Sequence, residues 1–405
     1  MRTDTVESAR SWWRAVLVLA MASVSFGAVT AVPILMKPLM AEWGTGAASI
    51  AWVHTVTLIG GGLGSLWFGR LLDRFGFFPL AVVAALATSA GVFAASQAQS
   101  LWVLYLACGL LIGAVGQGVF FSPLMVALSR WFDRHSALAL SVASSGQSLG
   151  GFLVPPLLRQ GVEWMGWRAS LAWYALLALV LLLPAAWAFR RPPPEPRSRP
   201  GSSERARVVP RRRYRFWMYG LGFALFNAVT FAVVGHLLAF GEERGFLPLV
   251  AASLTSALLG STLLFRLLAG VWMKRWGAYR VLLLSSSLHV LGVLGLVFTE
   301  GFSGMAWSAA AIGLGFGGYL PAYAVLVRDM FPARESGRRV AEINFFGFIS
   351  GGLGSGGAGW LRDFTGSYVS TFQWCAGVAC LGLVLLFALR RSLDDRPSVG
   401  ARAWA

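Results

Sequence analysis

Gly69-Arg-Leu-Leu-Asp-Arg-Phe-Gly76 ends one long apolar run of the sequence, and Gly270-Val-Trp-Met-Lys-Arg-Trp-Gly277 ends another 201 residues later. Each octet has a glycine at both ends and a charged pair at its fifth and sixth positions. Such a segment stops a helix at a water boundary, because the charges stay hydrated and the final glycine frees the backbone to turn. The echo continues outward. Gly113, Gly118 and Pro123 precede Arg130 and Phe132, while Gly313, Gly318 and Pro321 precede Arg328 and Phe331. Gly166 and Gly366 open corresponding turns. A repeat of this length makes the 405-residue chain two copies of one unit.

Composition says what solvent the unit faces. Apolar and aromatic residues make up 57% of the chain, glycine supplies 48 residues, and only 13% are charged, against about 25% in soluble domains. This excludes a soluble globular protein and a disordered one. A helix crossing about 30 Å of hydrocarbon needs about 20 mostly apolar residues. Twelve runs qualify: 13–36, 47–69, 77–97, 101–128, 136–160, 168–189, 215–240, 247–272, 278–299, 303–329, 338–361 and 367–390. They are too long and uninterrupted for barrel strands. The fold class expected is an all-α membrane protein, with twelve transmembrane helices in two pseudo-symmetric six-helix halves. Residues 1–189 form the first half, 190–215 a basic Pro-rich linker, and 216–405 the second half with a short tail. Cys108, Cys375 and Cys380 lie within apolar runs, so neither a disulfide framework nor a metal site is indicated. No cofactor motif is present.

The charges orient the chain. Placing the N-terminus in the cytoplasm puts 28 of the 34 Lys and Arg residues inside and five (Lys37, Arg159, Arg168, Arg244 and Arg362) outside. That bias sets topology, with both termini cytoplasmic in a multi-pass plasma membrane, of bacterial inner-membrane type. It also accounts for the net charge of +17: the basic excess faces anionic lipid rather than nucleic acid. Parallel six-span repeats rock about a site near the midplane, so the architecture points to a carrier. No nucleophile–base–acid set appears that would make an enzyme.

Arg266 is the one cation on neither side. It lies eight residues before Lys274, roughly 12 Å from the helix end at 1.5 Å per residue. At such depth a charged side chain costs about 2.5 kcal/mol or more, so it needs a cavity or a partner. No Asp or Glu lies at similar depth; the nearest is Glu342 in span 11. A guanidinium facing a cavity suits a carboxylate, which its planar fork matches in bidentate fashion. The alternative is a structural tie to Glu342 or to a helix end. Polar residues elsewhere in the spans are further candidates: Asn227 in span 7, Ser122 and Gln147 in spans 4 and 5, and Tyr319 and Tyr323, four apart on one face of span 10. The two tyrosines either offer hydroxyls to a carboxylate or pack as aromatics. His54 and His236 are candidates for taking up a proton, or are satisfied polar residues near span ends.

These residues carry a resemblance. Gly69, Asp73, Arg74 and Gly76 match the GxxxDRxG signature of the major facilitator superfamily, which the chain resembles over its whole length. The Asp-Arg pair then latches neighbouring helix ends; Lys274 replaces the aspartate in the second half. Phe132, Arg134, Leu138, Ala139, Ala143 and Gly146 resemble the span 4–5 signature of monocarboxylate porters, and Lys37-Pro-Leu39, Gly166-Trp-Arg168 and Asp363–Tyr368 resemble the same group. Oxalate–formate exchangers share much of this pattern. The resemblance implies that Arg266, four residues before Gly270, binds the substrate carboxylate. It also exposes departures: Thr262 stands where the family has an acid implicated in proton coupling, and Thr30 where some members have a lysine. The function expected is secondary transport of small organic anions, monocarboxylates first, by alternating access with proton symport. Anion exchange and efflux of a drug or metabolite are the alternatives. The partners implied are a carboxylate, protons and the bilayer, with the chain a monomer.

Overall fold

The computed structural model describes residues 7–132, 135–191, 210–331 and 333–394. Among these, ten helices are long and apolar enough to cross a membrane. One, Leu138–Trp187, holds two crossings (spans 5 and 6) joined at Gly166, whose φ of 79° breaks the helix. The span 11 helix, Ala333–Thr365, carries too many glycines and charges to count as apolar, yet it runs in the same bundle between spans 2 and 7. Neighbours rather than lipid cover much of it. The span 7 helix starts at Pro210, inside the segment read as a linker; proline suits a first helical turn, where its missing N–H is not needed. Residues 192–209 of that segment lie outside the described residues.

The two halves are built alike. Span 1 packs along span 5 as span 7 does along span 11, and spans 2 and 4 pair as spans 8 and 10 do. Spans 2 with 11 and 8 with 5 form the seams between the halves. Glycines in the left-handed region end corresponding helices: Gly44 (φ 60°) and Gly245 (86°), Gly76 (75°) and Gly277 (83°), Gly166 (79°) and Gly366 (74°). The last two pairs are those legible in the sequence; the first extends the repeat.

Close packing repeats too. A Cβ on Gly113 would meet the carbonyl of Thr57, and one on Gly313 the carbonyl of Leu258, the glycines 200 and their contacts 201 residues apart. Backbone cannot step aside as a flexible side chain does. Gly113→Val and Gly313→Val should therefore each destabilise by about 1–3 kcal/mol or more through overpacking. Thermal unfolding in detergent checks this, with similar losses expected from the two halves.

Candidate functional site

Span 4 positions the first wall of the site. It is π-helical over Ala107–Gln117 and breaks at Phe121 (φ −103°, ψ −91°). Pro123, lacking an N–H, cannot carry the hydrogen-bond ladder through. At the break the Phe121 ring packs edge-on against Phe348 of span 11, with centroids 4.8 Å apart.

Both rings line a cavity between the halves. Six phenylalanines from five spans line it: Phe26, Phe121, Phe223, Phe231, Phe316 and Phe348. The polar groups are Arg266, Gln147, Ser148, Asn227 and Asn344; among the described residues no acidic side chain lines it. A smaller void of about 190 Å³ shares Phe223, Leu320 and Asn344 with the cavity and continues towards Val327 and Val340, the end that carries the basic loops.

Arg266 is 5% exposed. One terminal nitrogen donates to the Ser144 carbonyl of span 5 at 3.1 Å, and the guanidinium carbon sits 5.4 Å from the centroid of Phe316. Its Nε has no hydrogen-bond partner. Glu342 is engaged by Arg339 at 2.8 Å. Arg266 is thus a buried cation on a cavity wall, held by a neutral carbonyl of the other half. A carboxylate entering the cavity supplies the charge that the site lacks.

The structure gathers Arg266, Asn227 and Gln147 around one cavity. Asn227 also donates to the Phe223 carbonyl at 3.0 Å, one turn back. Tyr319 is fully buried behind the wall, its hydroxyl 3.0 Å from Thr230 and its ring among Phe223, Phe226, Phe316 and His289. Tyr323 is in the same aromatic cluster and lines the smaller void. Ser122 is half-buried beside Phe121 and is not a lining residue. Thr262 donates to the carbonyls of Leu258 and Gly313 at 2.8 and 3.0 Å, tying span 8 to span 10. Asn344 was not among the sequence candidates. Its signal is the one that flagged Asn227, an amide within an apolar run.

His54 and His236 converge on one residue. His54 Nδ1 lies 2.9 Å from the Ser355 hydroxyl, and His236 Nε2 lies 3.0 Å from the Ser355 carbonyl. His236 Nδ1 also meets the Tyr368 hydroxyl at 3.2 Å. The cluster sits on the seam of spans 2 and 11, towards the end opposite the basic loops. Ties between the halves gather at that end. Glu242 of span 7, 5% exposed at its side chain, is 3.3 Å from Lys37 and 3.2 Å from Arg159. The Asp363 carboxylate accepts from the backbone N–H groups of Ala47 and Ala48 at 3.0 and 2.8 Å, capping the first turn of span 2.

At the basic end Asp73 pairs with Arg130 at 2.8 Å, so the GxxxDRxG segment ties span 2 to span 4. Gly76 makes the turn (φ 75°), Gly69 has open space before it, and Arg74 lies over the Phe75 ring at 5.2 Å. Arg134 lies outside the described residues.

The chain is similar to known proteins in sequence and fold. The chain is 29% identical over 404 residues to monocarboxylate transporter 11 of Mus musculus, covering 95% of this chain and 88% of that protein. It is 26% identical over 392 residues to monocarboxylate transporter 13 of Bos taurus, covering 96% and 91%. Its fold is similar to that of a bacterial homologue of the human lysosomal transporter Spinster, solved inward-facing and unoccupied (TM-score 0.75, 15% identity, 97% of this chain and 100% of that one). The family model for the Major Facilitator Superfamily matches residues 17–312 and 249–404. The chain is therefore a multi-pass membrane transporter, and it belongs to the Major Facilitator Superfamily.

Proposed function

We propose that the protein carries small organic monocarboxylates across the bilayer by alternating access, with Arg266 as the anion anchor. One observation carries this reading: a buried guanidinium whose Nε has no partner among the described residues, on the wall of a cavity that no described acidic side chain lines. Six phenylalanine rings around it favour acids with an aromatic or branched apolar body over the smallest ones. The similarity to monocarboxylate transporters 11 and 13 supports the same substrate class.

The remaining assignments follow the charge distribution and the ties between the halves. The basic end faces the cytoplasm, as both termini then do, in a plasma membrane of the bacterial inner-membrane type. The halves rock as rigid six-helix bodies in a monomer. Glu242 and Asp363 hold the outer end shut, and the cavity is reached from the cytoplasmic side. Asn227, Gln147 and Asn344 orient the substrate body; Tyr319 and Tyr323 back the wall. His54 and His236 carry the coupling proton, since Thr262 cannot.

Exchange of one anion for another is the second reading, favoured by the cavity's having Arg266 as its one charged lining residue. Proteoliposomes separate the two. Labelled lactate, pyruvate, oxalate, formate and benzoate are offered with and without an inward proton gradient. Symport predicts gradient-stimulated uptake into empty vesicles, strongest for benzoate. Uptake that requires a trapped internal anion establishes exchange. No uptake of any acid overturns the carboxylate reading and favours efflux of a drug or metabolite.

A further inference from the structure

At the basic end the start of span 3 meets the end of span 6 through two edge-on ring pairs. Phe77 packs against Phe189 with centroids 4.9 Å apart, and Phe78 against Trp187 at 5.8 Å. Two hollows adjoin there. One is lined by Arg130, Arg190 and Arg191 together with aromatic rings, with no acidic side chain among the described residues that line it. The other is walled by Val82, Val83, Leu183 and Pro184, with no charged group among the described residues that line it. Phe78 and Pro79 line both, so the hollows lie side by side. The apolar one extends one helical turn deeper along span 3. Val83 and Trp187, 50% and 61% exposed, open it sideways to the bilayer.

The cations are available. Asp73 holds Arg130 and is not a lining residue of the hollow. Arg190 rests over the Trp187 ring at 4.9 Å. Among the described residues neither Arg190 nor Arg191 has a carboxylate within ion-pair distance. A ligand that fills both hollows needs an anionic head and an apolar tail on one molecule, with the tail pointing into the membrane. A free anion leaves the cleft empty, and an apolar helix leaves the arginines unpaired. We infer that the paired hollow binds an anionic phospholipid, its phosphodiester at Arg190 and Arg191 and one acyl chain in the cleft between spans 3 and 6. This site is separate from the carboxylate cavity and does not depend on what that cavity carries.

Native mass spectrometry of the full chain in detergent tests it, with dioleoyl phosphatidylglycerol and dioleoyl phosphatidylcholine as probes. The wild-type chain should retain phosphatidylglycerol in preference to phosphatidylcholine. Arg190→Ala/Arg191→Ala should cut that retention about 30-fold, the loss of two basic contacts at a membrane surface. Val83→Trp, which fills the cleft from an exposed position, should lower it several-fold with the arginines intact. Equal retention of the two lipids overturns the inference, as does wild-type retention by either variant. Displacement by inorganic phosphate as readily as by phosphatidylglycerol makes the site one for free anions and also overturns it. The head-group preference is read on the wild-type chain, so the test survives a variant that fails to fold.

Discussion

Arg266→Lys should lower carboxylate uptake roughly 100-fold, because one bond to a charged acceptor is worth about 1.5–3 kcal/mol and the bidentate fork is lost. Lysine keeps the charge but presents a compact ammonium, which cannot make two parallel bonds to one carboxylate. Most of the loss should fall on KM, with a neutral substrate analogue unaffected. Arg266→Ala should abolish uptake. It should also leave the empty protein more stable, by about 1 °C in Tm for each kcal/mol recovered in a chain of this length. The guanidinium is buried beside a neutral carbonyl and a phenylalanine face, with its Nε unsatisfied; an uncompensated buried charge is costly to the unliganded protein. A structural tie predicts the reverse sign. Paired thermal unfolding and uptake measurements on the two variants read both effects.

Glu242→Gln should release the end opposite the basic loops. The glutamate joins two cations of the first half, Lys37 and Arg159, to span 7 of the second. Removing one partner of a buried ion pair costs about 3–5 kcal/mol. Here the cost falls on the latched conformation alone, since Arg159 becomes hydrated when the halves part. The equilibrium should therefore move towards the unlatched state by about 100-fold or more, the shift that such a difference produces. Spin labels at Trp164 and Leu247, both exposed near that end, read the separation after the three cysteines are replaced. A longer distance in the variant is expected. Superimposable distributions mean that this cluster does not hold the end shut.

The fold was legible because its determinants are local and repeated. Charged octets at Gly69 and Gly270 mark helix ends, and Gly166 and Gly366 mark turns; each glycine that makes a turn has the positive φ that favours glycine. Arg266 stood out in the sequence because a lone cation deep in a long apolar run needs a cavity or a partner; whether it meets an anion or ties helices together is not written in the run itself. The rest of the cavity was not. Phenylalanines are scattered through the spans, and which six face one space depends on helix rotation and on the break at Phe121. Tyr319 and Tyr323 share a helix face, as their spacing predicts, but that face turns into an aromatic cluster behind the wall. The latch was hidden for a related reason. Lys37 and Arg159 read as loop charges outside the membrane, and Glu242 falls just past the run 215–240; their meeting joins segments some 80 to 200 residues apart, and no periodic pattern records it.

Crystals of the protein grown with 4-bromobenzoate test the central claim most directly. The account predicts a bromine anomalous peak among Phe26, Phe231 and Phe316, with the carboxylate against the Arg266 guanidinium. A peak outside this cavity, or a bound acid whose carboxylate points away from Arg266, would contradict it.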